Sequence, residues 1–124
     1  MRFDNPNGRV GSITTVGTAT AYNTSSDYRL KENVQPMTGA LAKVTALNPV
    51  TFKWKTDGTD GQGFIAHELQ AVMPDCVTGQ KDAVDEEGKP IYQGIDTSFL
   101  VATLVAAIKE QQAQIDALTA KVNG

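Results

Sequence analysis

The chain has 124 residues, of which 40% are hydrophobic and 20% are charged, so it can bury a core and is not a disordered tail. Its formal net charge is −3 and no basic run occurs, which argues against a general surface for nucleic acids or anionic membranes. The single cysteine, Cys76, excludes an internal disulfide and a multi-cysteine metal site, and we expect it to be a small buried apolar residue.

No apolar run reaches the roughly 18 residues that a membrane-spanning helix needs, so the sequence predicts no membrane partner. The start of the chain also lacks the apolar stretch of a signal peptide. We therefore expect synthesis in the cytoplasm, and the composition of the first residues favours a piece cut from a longer chain.

Residues 1–25 differ in composition from the rest. The stretch "GRVGSITTVGTATAYNTS" is rich in Gly, Ser and Thr, which favours extended structure interrupted by turns. A lone strand or hairpin buries too little surface to be stable. We therefore interpret the segment as the end of a β-rich stalk or fibre whose partner strands lie outside this chain, with a flexible leader as the alternative.

Residues 36–47 have the apolar spacing of a helix, which Asn48 and Pro49 would end. The residues predicted on its apolar face are Leu41, Val44 and Leu47. Residues 50–55 alternate between apolar and polar side chains, which predicts a half-buried strand. Its apolar face would carry Val50, Phe52 and Trp54.

Residues 56–63, "TDGTDGQG", have the composition of a loop, and residues 64–66 are a short apolar strand candidate. A short helix is predicted over 67–73, with Leu69, Val72 and Met73 inward. Residues 82–95 indicate a β-hairpin that turns near Glu87 and Gly88. Its acidic side chains favour a solvated face rather than a metal site, because nothing supplies a rigid ligand set: Asp82, Asp85, Glu86 and Glu87.

The C-terminal residues 96–124 contain no internal Gly or Pro, and Asp96, Thr97 or Ser98 could cap a long helix there. Apolar side chains recur in steps of three and four, with Gln111 at one such position. The predicted seam comprises Val101, Leu104, Ile108, Gln111, Ile115, Leu118 and Val122. We interpret it as a coiled-coil surface for self-association, with an amphipathic helix packed on its own domain as the alternative. The overall prediction is an α+β fold of small sheets and hairpins, short helices and a long C-terminal helix.

A possible chemical site lies in "NTSSDYRLKENV", residues 23–34. A serine hydroxyl is a weak nucleophile that needs a base, and a neutral lysine can serve as that base. Ser26 and Lys31 would form such a pair if the lysine were dry enough to lose its proton. The spacing is common, however, and Ser26 or Asp27 would also make a good helix cap.

Four blocks of the sequence together resemble one family. "SSDYRLKENV" is similar to the Ser-Asp-x-Arg-Leu-Lys-x-Asn signature of the peptidase S74 family, the C-terminal intramolecular chaperone domain of phage tail fibres and endosialidase tailspikes. "NPVTFKW", "GFIAHELQAVMPDCV" and "IDTSFLVATLVAAIKEQQAQIDAL" resemble later blocks of that family in the same order. The resemblance covers about residues 24–122.

This resemblance implies a homotrimer that assembles the fibre portion of its own polypeptide and then cuts itself off. Carried onto this chain, the nucleophile is Ser26, the base is Lys31 and the cut falls between Ser25 and Ser26. Residues 1–25 would be the end of a phage fibre that is made in the host cytoplasm and enters the virion. Residues 26–124 would be the released chaperone, with residues 96–124 as its coiled-coil helix.

Three further residues are candidates for supporting roles. Asp27 and Asn33 match the signature and would orient the loop, stabilise the oxyanion or cap the turn. His67 would assist proton transfer or be structural. No cofactor, metal or nucleic-acid partner is predicted. The alternative function is a non-catalytic trimerisation foldon or a receptor-binding fibre tip.

Overall fold

A computed structural model describes all of residues 1–124, which divide into two compact units, Met1–Pro36 and Met37–Gly124. The turn that carries Ser26 and Lys31 lies in the first unit. The boundary between the two compact units, after Pro36, therefore lies beyond the expected domain boundary between Ser25 and Ser26. The expected boundary is defined by the position of a cut, and it stays a prediction.

The first unit contains a three-stranded antiparallel sheet in the order β1-β2-β3, formed by β1 (Arg2–Asn5), β2 (Gly8–Val16) and β3 (Ala19–Thr24). Glycines make its two tight turns possible, because Gly8 and Gly17 adopt φ values of 94° and 58°. The extended structure expected for this segment is confirmed.

The expectation that the partner strands lie outside the chain is wrong for these strands, because β2 pairs with both of its neighbours. What the sheet lacks is a core. Only the residues from Val10 to Ile13 are half-buried, and every other residue of Met1–Pro36 is exposed. Backbone hydrogen bonds therefore hold these strands together with little apolar burial to support them.

The second unit begins with helix α1, Ala40–Ala46, which is shorter than the predicted helix over 36–47. Gly39 at its N-cap has a φ of 71° and supplies no side-chain cap. Glu110, from the C-terminal helix, supplies the cap instead. Its Oε1 accepts the Ala40 N–H at 3.2 Å and its Oε2 accepts the Leu41 N–H at 2.7 Å.

Strand β4, Val50–Lys53, confirms the predicted alternation at Val50 and Phe52, which are half-buried between exposed neighbours. The prediction is wrong for its end, because the strand stops at Lys53 and Trp54 is exposed. It pairs antiparallel with β5, Asp60–Gly63, so the prediction of a loop over 56–63 is wrong for its second half. The Phe52 ring lies over Gly61, where an added Cβ would approach the ring to 2.7 Å. Glycine therefore lets the aromatic side chain cover the facing strand.

Residues 64 and 65 form no strand, which corrects that prediction, and Ala66 already belongs to helix α2, Ala66–Val72. A 3-10 turn, Pro74–Cys76, leads into β6 (Val77–Thr78), which pairs with β7 (Gly94–Ile95). Between them the expected hairpin is reduced to a single bridge between Val84 and Pro90, closed by a turn over residues 85–88.

The core of the second unit is formed by Leu69, Cys76 and Leu100, which are at most 4% exposed. Half-buried side chains packed against it are Leu47, Phe64, Met73 and Val77. The prediction that Cys76 is a buried apolar residue is confirmed. Burial raises the pKa of its thiol, and the nearby carboxylates of Asp75 and Asp96 add to this effect.

The long C-terminal helix is confirmed as α3, Val101–Asn123, which follows a 3-10 turn over Thr97–Leu100. Asp96 caps that turn, because its Oδ1 accepts hydrogen bonds from the Ser98 N–H at 2.9 Å and the Ser98 hydroxyl at 2.7 Å. With its small antiparallel sheets and short helices, the chain has the α+β fold that was predicted. None of its helices is both long enough and apolar enough to cross a membrane.

Helix α3 packs on its own unit through a stripe that differs from the predicted seam. Thr103 and Ala107 are buried in this stripe, which faces α1, and Glu110 continues it. The predicted seam is exposed along its whole length: Val101, Leu104, Ile108, Gln111, Ile115, Leu118 and Val122. One stripe of α3 thus packs against its own unit, as expected from the alternative of an amphipathic helix packed on its own domain. The predicted seam forms a second, largely apolar stripe that is uncovered in the single chain.

Candidate functional site: a serine and lysine pair in a tight turn

The candidate site begins where strand β3 ends. Ser25 still belongs to the ladder with β2, since its N–H donates to Val10 O at 3.1 Å. Its hydroxyl donates to Arg9 O at 3.0 Å. Ser25 is therefore fixed to the sheet through both its backbone and its side chain, and Ser26 is the first residue beyond this anchor.

A 3-10 turn over Tyr28–Leu30 then reverses the chain. Asp27 caps this turn with its side chain, whose Oδ1 accepts the Arg29 N–H at 2.8 Å. Backbone bonds from Leu30 N to Asp27 O and from Lys31 N to Tyr28 O complete the turn. The sequence folds this way because an Asx cap and a short run without Gly or Pro favour one tight helical turn.

The turn brings Lys31 back to Ser26, with 2.5 Å between Lys31 Nζ and Ser26 Oγ. A base must lie within hydrogen-bond reach of the hydroxyl that it deprotonates, and this distance meets that requirement. The two neighbouring serines differ, because the Ser25 hydroxyl is engaged by the sheet whereas the Ser26 hydroxyl contacts the amine. Ser26 and Lys31 are both exposed in the single chain.

Arg29 is a part of the turn that sequence reasoning did not single out. Its Nε and Nη2 donate to Asp27 Oδ1 and Oδ2, each at 2.9 Å. The side-chain hydrogen bonds with Arg29 lower the pKa of Asp27, aided by the Arg29 backbone N–H, and the same side-chain pairing raises the pKa of Arg29. The available signal was an acid and a base two residues apart at a helix cap.

The remaining predicted residues occupy different surroundings. Asn33 has a φ of 53° in the left-handed region, and its side chain makes no hydrogen bond. His67 lies exposed on α2 in the second unit, where its ring also makes no hydrogen bond. Its neighbour Glu68 accepts a hydrogen bond from Asn48 Nδ2 at 3.0 Å, a contact that ties α2 to the start of β4.

Residues 26–78 match the sequence model of the Peptidase S74 family, which is described as the chaperone of endosialidase. Among curated proteins, the chain is similar to Long tail fiber protein Gp37 of Enterobacteria phage K3 and to Long tail fiber protein Gp37 of Enterobacteria phage T2. Each is 33% identical over an alignment of 103 residues, and the match covers 78% of this chain. The chain spans only 8% and 7% of the lengths of these relatives.

The family match begins at Ser26 and includes the whole 3-10 turn, Lys31 and the segments from α1 to β6. The match includes three of the four blocks that suggested the resemblance, and it ends before the fourth, residues 95–118. Residues 26–78 of this chain therefore carry the sequence pattern of the Peptidase S74 family, the chaperone of endosialidase.

Proposed function

We propose that this chain is the end of a phage tail fibre precursor, that its C-terminal part is an intramolecular chaperone for the fibre, and that the chaperone releases itself by cutting between Ser25 and Ser26. The observation that carries the proposal is the 2.5 Å distance between Ser26 Oγ and Lys31 Nζ, in a turn that follows directly on a β-strand. The family match that starts at Ser26 supports it.

The proposed reaction uses the peptide bond that joins the two serines. The neutral Lys31 amine takes the proton of Ser26 Oγ, and this oxygen attacks the carbonyl carbon of Ser25. The carbon–nitrogen bond breaks, and the Lys31 ammonium returns its proton to the nitrogen of Ser26, which becomes a free amine. The resulting ester joins the Ser25 carbonyl to Ser26 Oγ, and water hydrolyses it more easily than the amide.

The covalent connection removes the need for a substrate pocket. The nucleophile and the scissile carbonyl belong to adjacent residues, so proximity supplies much of the rate. The bonds of Ser25 to Arg9 and Val10 hold the carbonyl side of the cut on the sheet. A single turnover per chain also tolerates a slow catalyst.

Assembly would supply what the single chain lacks. A lysine in water is protonated at neutral pH, and only loss of solvent or nearby positive charge makes its neutral form accessible. Ser26 and Lys31 are exposed here. We propose that neighbouring copies cover the turn in the assembled protein, so that cleavage follows assembly.

The partner for assembly is proposed to be two further copies of this chain, which would form a homotrimer. The seam on α3 is apolar but uncovered, with Ile108 at 64% and Val122 at 77% exposure. Covering a side chain of this size contributes about 1.5–3 kcal/mol, so several such layers outweigh the cost of association. A bundle of the three α3 helices would hold the preceding segments of the three chains close together. Their association would then no longer depend on the meeting of free chains, which would help the fibre to begin folding.

Residues 1–25 would then stay with the fibre in the virion, and residues 26–124 would leave after the cut. The similarity to two long tail fibre proteins supports this placement. The fibre portion of the same polypeptide is the proposed client of the chaperone, and the host cytoplasm is the proposed site of synthesis.

Denaturing mass spectrometry of the full chain tests the proposal. Wild-type protein should yield a fragment of residues 26–124 that begins at Ser26, whereas Ser26→Ala should stay intact. Ser25→Ala is the matched control and should still be cut, because the Ser25 hydroxyl contacts the sheet. Efficient cleavage of Ser26→Ala, or loss of cleavage only in Ser25→Ala, would overturn the assignment of the nucleophile.

A second candidate function is a non-catalytic trimerisation foldon or receptor-binding tip. The exposure of Ser26 and Lys31 favours it, because the role of a lysine base requires surroundings that exclude water. In that case the turn is only a capped connection between the sheet and α1. A wild-type chain that forms a stable trimer yet keeps its full mass would support this function over the first.

A further inference from the structure

The turn that holds Ser26 and Lys31 also holds a carboxylate, and Arg29 pairs with both of its oxygens. Asp27 follows Ser26 directly in the chain, and both of its side-chain oxygens accept hydrogen bonds from the Arg29 guanidinium at 2.9 Å. Oδ1 also accepts the Arg29 backbone N–H. Lys31 forms no ion pair, and its one side-chain hydrogen bond goes to Ser26.

A free carboxylate at this position would oppose a lysine base. A nearby negative charge stabilises the ammonium over the neutral amine, and a salt bridge would draw Lys31 Nζ away from Ser26. Asp27 is bonded to the residue that Lys31 contacts. Its carboxylate is therefore the acidic group nearest in the chain to the Ser26 hydroxyl that Lys31 contacts.

Other charged groups of this unit leave Lys31 alone. Glu32 is adjacent in the chain, but it is exposed and forms no ion pair. On the sheet, Arg2 pairs with Asp4, and Arg9 makes no side-chain hydrogen bond. Asp27 and Arg29 are thus the charged residues that lie between Ser26 and Lys31 in the chain, and they pair with each other.

We propose that Arg29 is a positioning residue for the cleavage, whose guanidinium holds the Asp27 carboxylate away from Lys31 so that the lysine stays paired with Ser26. This role rests on the proposed self-cleavage. Arginine suits it because its planar fork engages both carboxylate oxygens at once. Asp27 cannot be silenced by protonation near neutral pH, since its hydrogen bonds to Arg29 lower its pKa further.

The proposal predicts opposite effects for the two partners. Arg29→Gln leaves an unpaired carboxylate in the turn that ends at Lys31 and should shift the midpoint of the pH–rate curve upward by about 0.5–1 unit. At a pH below the midpoint, cleavage would then be about 3–10-fold slower. Asp27→Asn leaves a bare guanidinium, which should shift the midpoint downward, and its amide oxygen can still cap the turn.

Two further variants separate charge from shape. The double variant Asp27→Asn with Arg29→Gln removes both charges, so its midpoint should return close to that of the wild type. Arg29→Lys retains the positive charge with fewer hydrogen bonds, so its midpoint should stay within about 0.3 units of the wild type even where its rate falls.

The experiment uses the full chain, made by cell-free synthesis with a short labelling pulse and then shifted to buffers from about pH 6 to about pH 10. The first-order rate of cleavage between Ser25 and Ser26 is followed on denaturing gels. Opposite shifts in the two single variants support the proposal. Unmoved midpoints, or shifts in the same direction, overturn the role of Arg29 while cleavage of the wild type leaves the proposed function standing.

A wild-type chain that stays uncut over the whole pH range overturns the proposed function, and the role of Arg29 falls with it. A second measurement covers variants that are too slow to follow. In full-length Ser26→Ala, the ionisation midpoint of the Lys31 amine is measured by NMR with and without Arg29→Gln. The added substitution should raise that midpoint, and an unchanged midpoint overturns the proposal independently of any cleavage.

Discussion

The two units of the chain are stabilised in different ways. The first unit has the longer strands and a continuous ladder of backbone hydrogen bonds, yet none of its residues is buried. The second unit has only short strands, but it packs Leu69, Cys76 and Leu100 into a core and rests α3 on α1. A regular sheet is thus no measure of stability, because apolar burial supplies most of the favourable free energy of folding.

This difference agrees with the proposed roles of the two parts. A segment without a core gains stability only from further chain or further copies, as expected for a fibre end that needs help to assemble. A segment with its own core folds first and can serve as the template. The proposed cut lies within the first unit, between its sheet and the turn that carries Lys31.

The largest effect is expected from removing a core side chain of the second unit. Leu69 is 2% exposed, so Leu69→Ala should lower the free energy of unfolding of that unit by about 2–5 kcal/mol. Thermal denaturation followed by circular dichroism measures the loss. Leu30→Ala in the first unit is the matched control, since Leu30 is 70% exposed and should change little. Equal losses in both variants would contradict the contrast between the units.

A charge in the exposed seam of α3 should abolish self-association. Ile108→Lys would place one buried ammonium per chain in the proposed bundle, at a cost of several kcal/mol per assembly. Sedimentation equilibrium should then report a monomer, and cleavage should stop or slow strongly. Ala113→Lys, on the exposed helix surface outside the seam, should leave the trimer intact. A trimeric Ile108→Lys protein would exclude this seam as the contact.

Removing the cap that α3 gives to α1 should have an intermediate effect. Glu110→Ala leaves the N–H groups of Ala40 and Leu41 without partners in a half-buried position, which costs about 1–3 kcal/mol. Urea denaturation of the full chain measures the change against Lys121→Ala, whose side chain is exposed and makes no hydrogen bond. An unchanged midpoint in Glu110→Ala would mean that water replaces the carboxylate.

The smallest effect is expected at Asn33, where the backbone rather than the side chain is proposed to matter. Its φ of 53° favours glycine and asparagine over other residues by about 1–2 kcal/mol. Asn33→Gly should therefore retain cleavage, while Asn33→Ala should slow it. The rates follow from the same gel assay. If Asn33→Gly is as slow as Asn33→Ala, the amide group itself takes part, as in oxyanion stabilisation.

The sequence predicted the elements that depend on local pattern. The length of α3 and the alternation over Val50–Lys53 follow from side-chain spacing, and the cap that Asp96 gives to the 3-10 turn before α3 follows from its residue type. It missed β5 because "DGQG" has the composition of a loop, and these residues are extended only because they pair with β4. The late start of α1 has a similar cause, since Gly39 lacks a cap that Glu110 supplies from far along the chain.

The candidate site shows the same limit. Spacing identified Ser26 and Lys31, but only the 3-10 turn explains why five residues of separation give a 2.5 Å contact. Arg29 was missed because its spacing from Asp27 suggests an ion pair but does not show that the guanidinium engages both carboxylate oxygens. The exposure of Ser26 and Lys31 could not be predicted from the sequence either, because burial depends on the fold and on further copies of the chain.

We propose that Lys31 activates Ser26 for a cut that separates a fibre end from its chaperone. The decisive measurement is the intact mass, under denaturing conditions, of the wild-type chain and of Lys31→Ala after equal incubation as assembled protein. We expect a fragment that begins at Ser26 in the wild type and an uncut chain in Lys31→Ala. Equal cleavage of both chains, or a fragment that begins at any other residue, would contradict it.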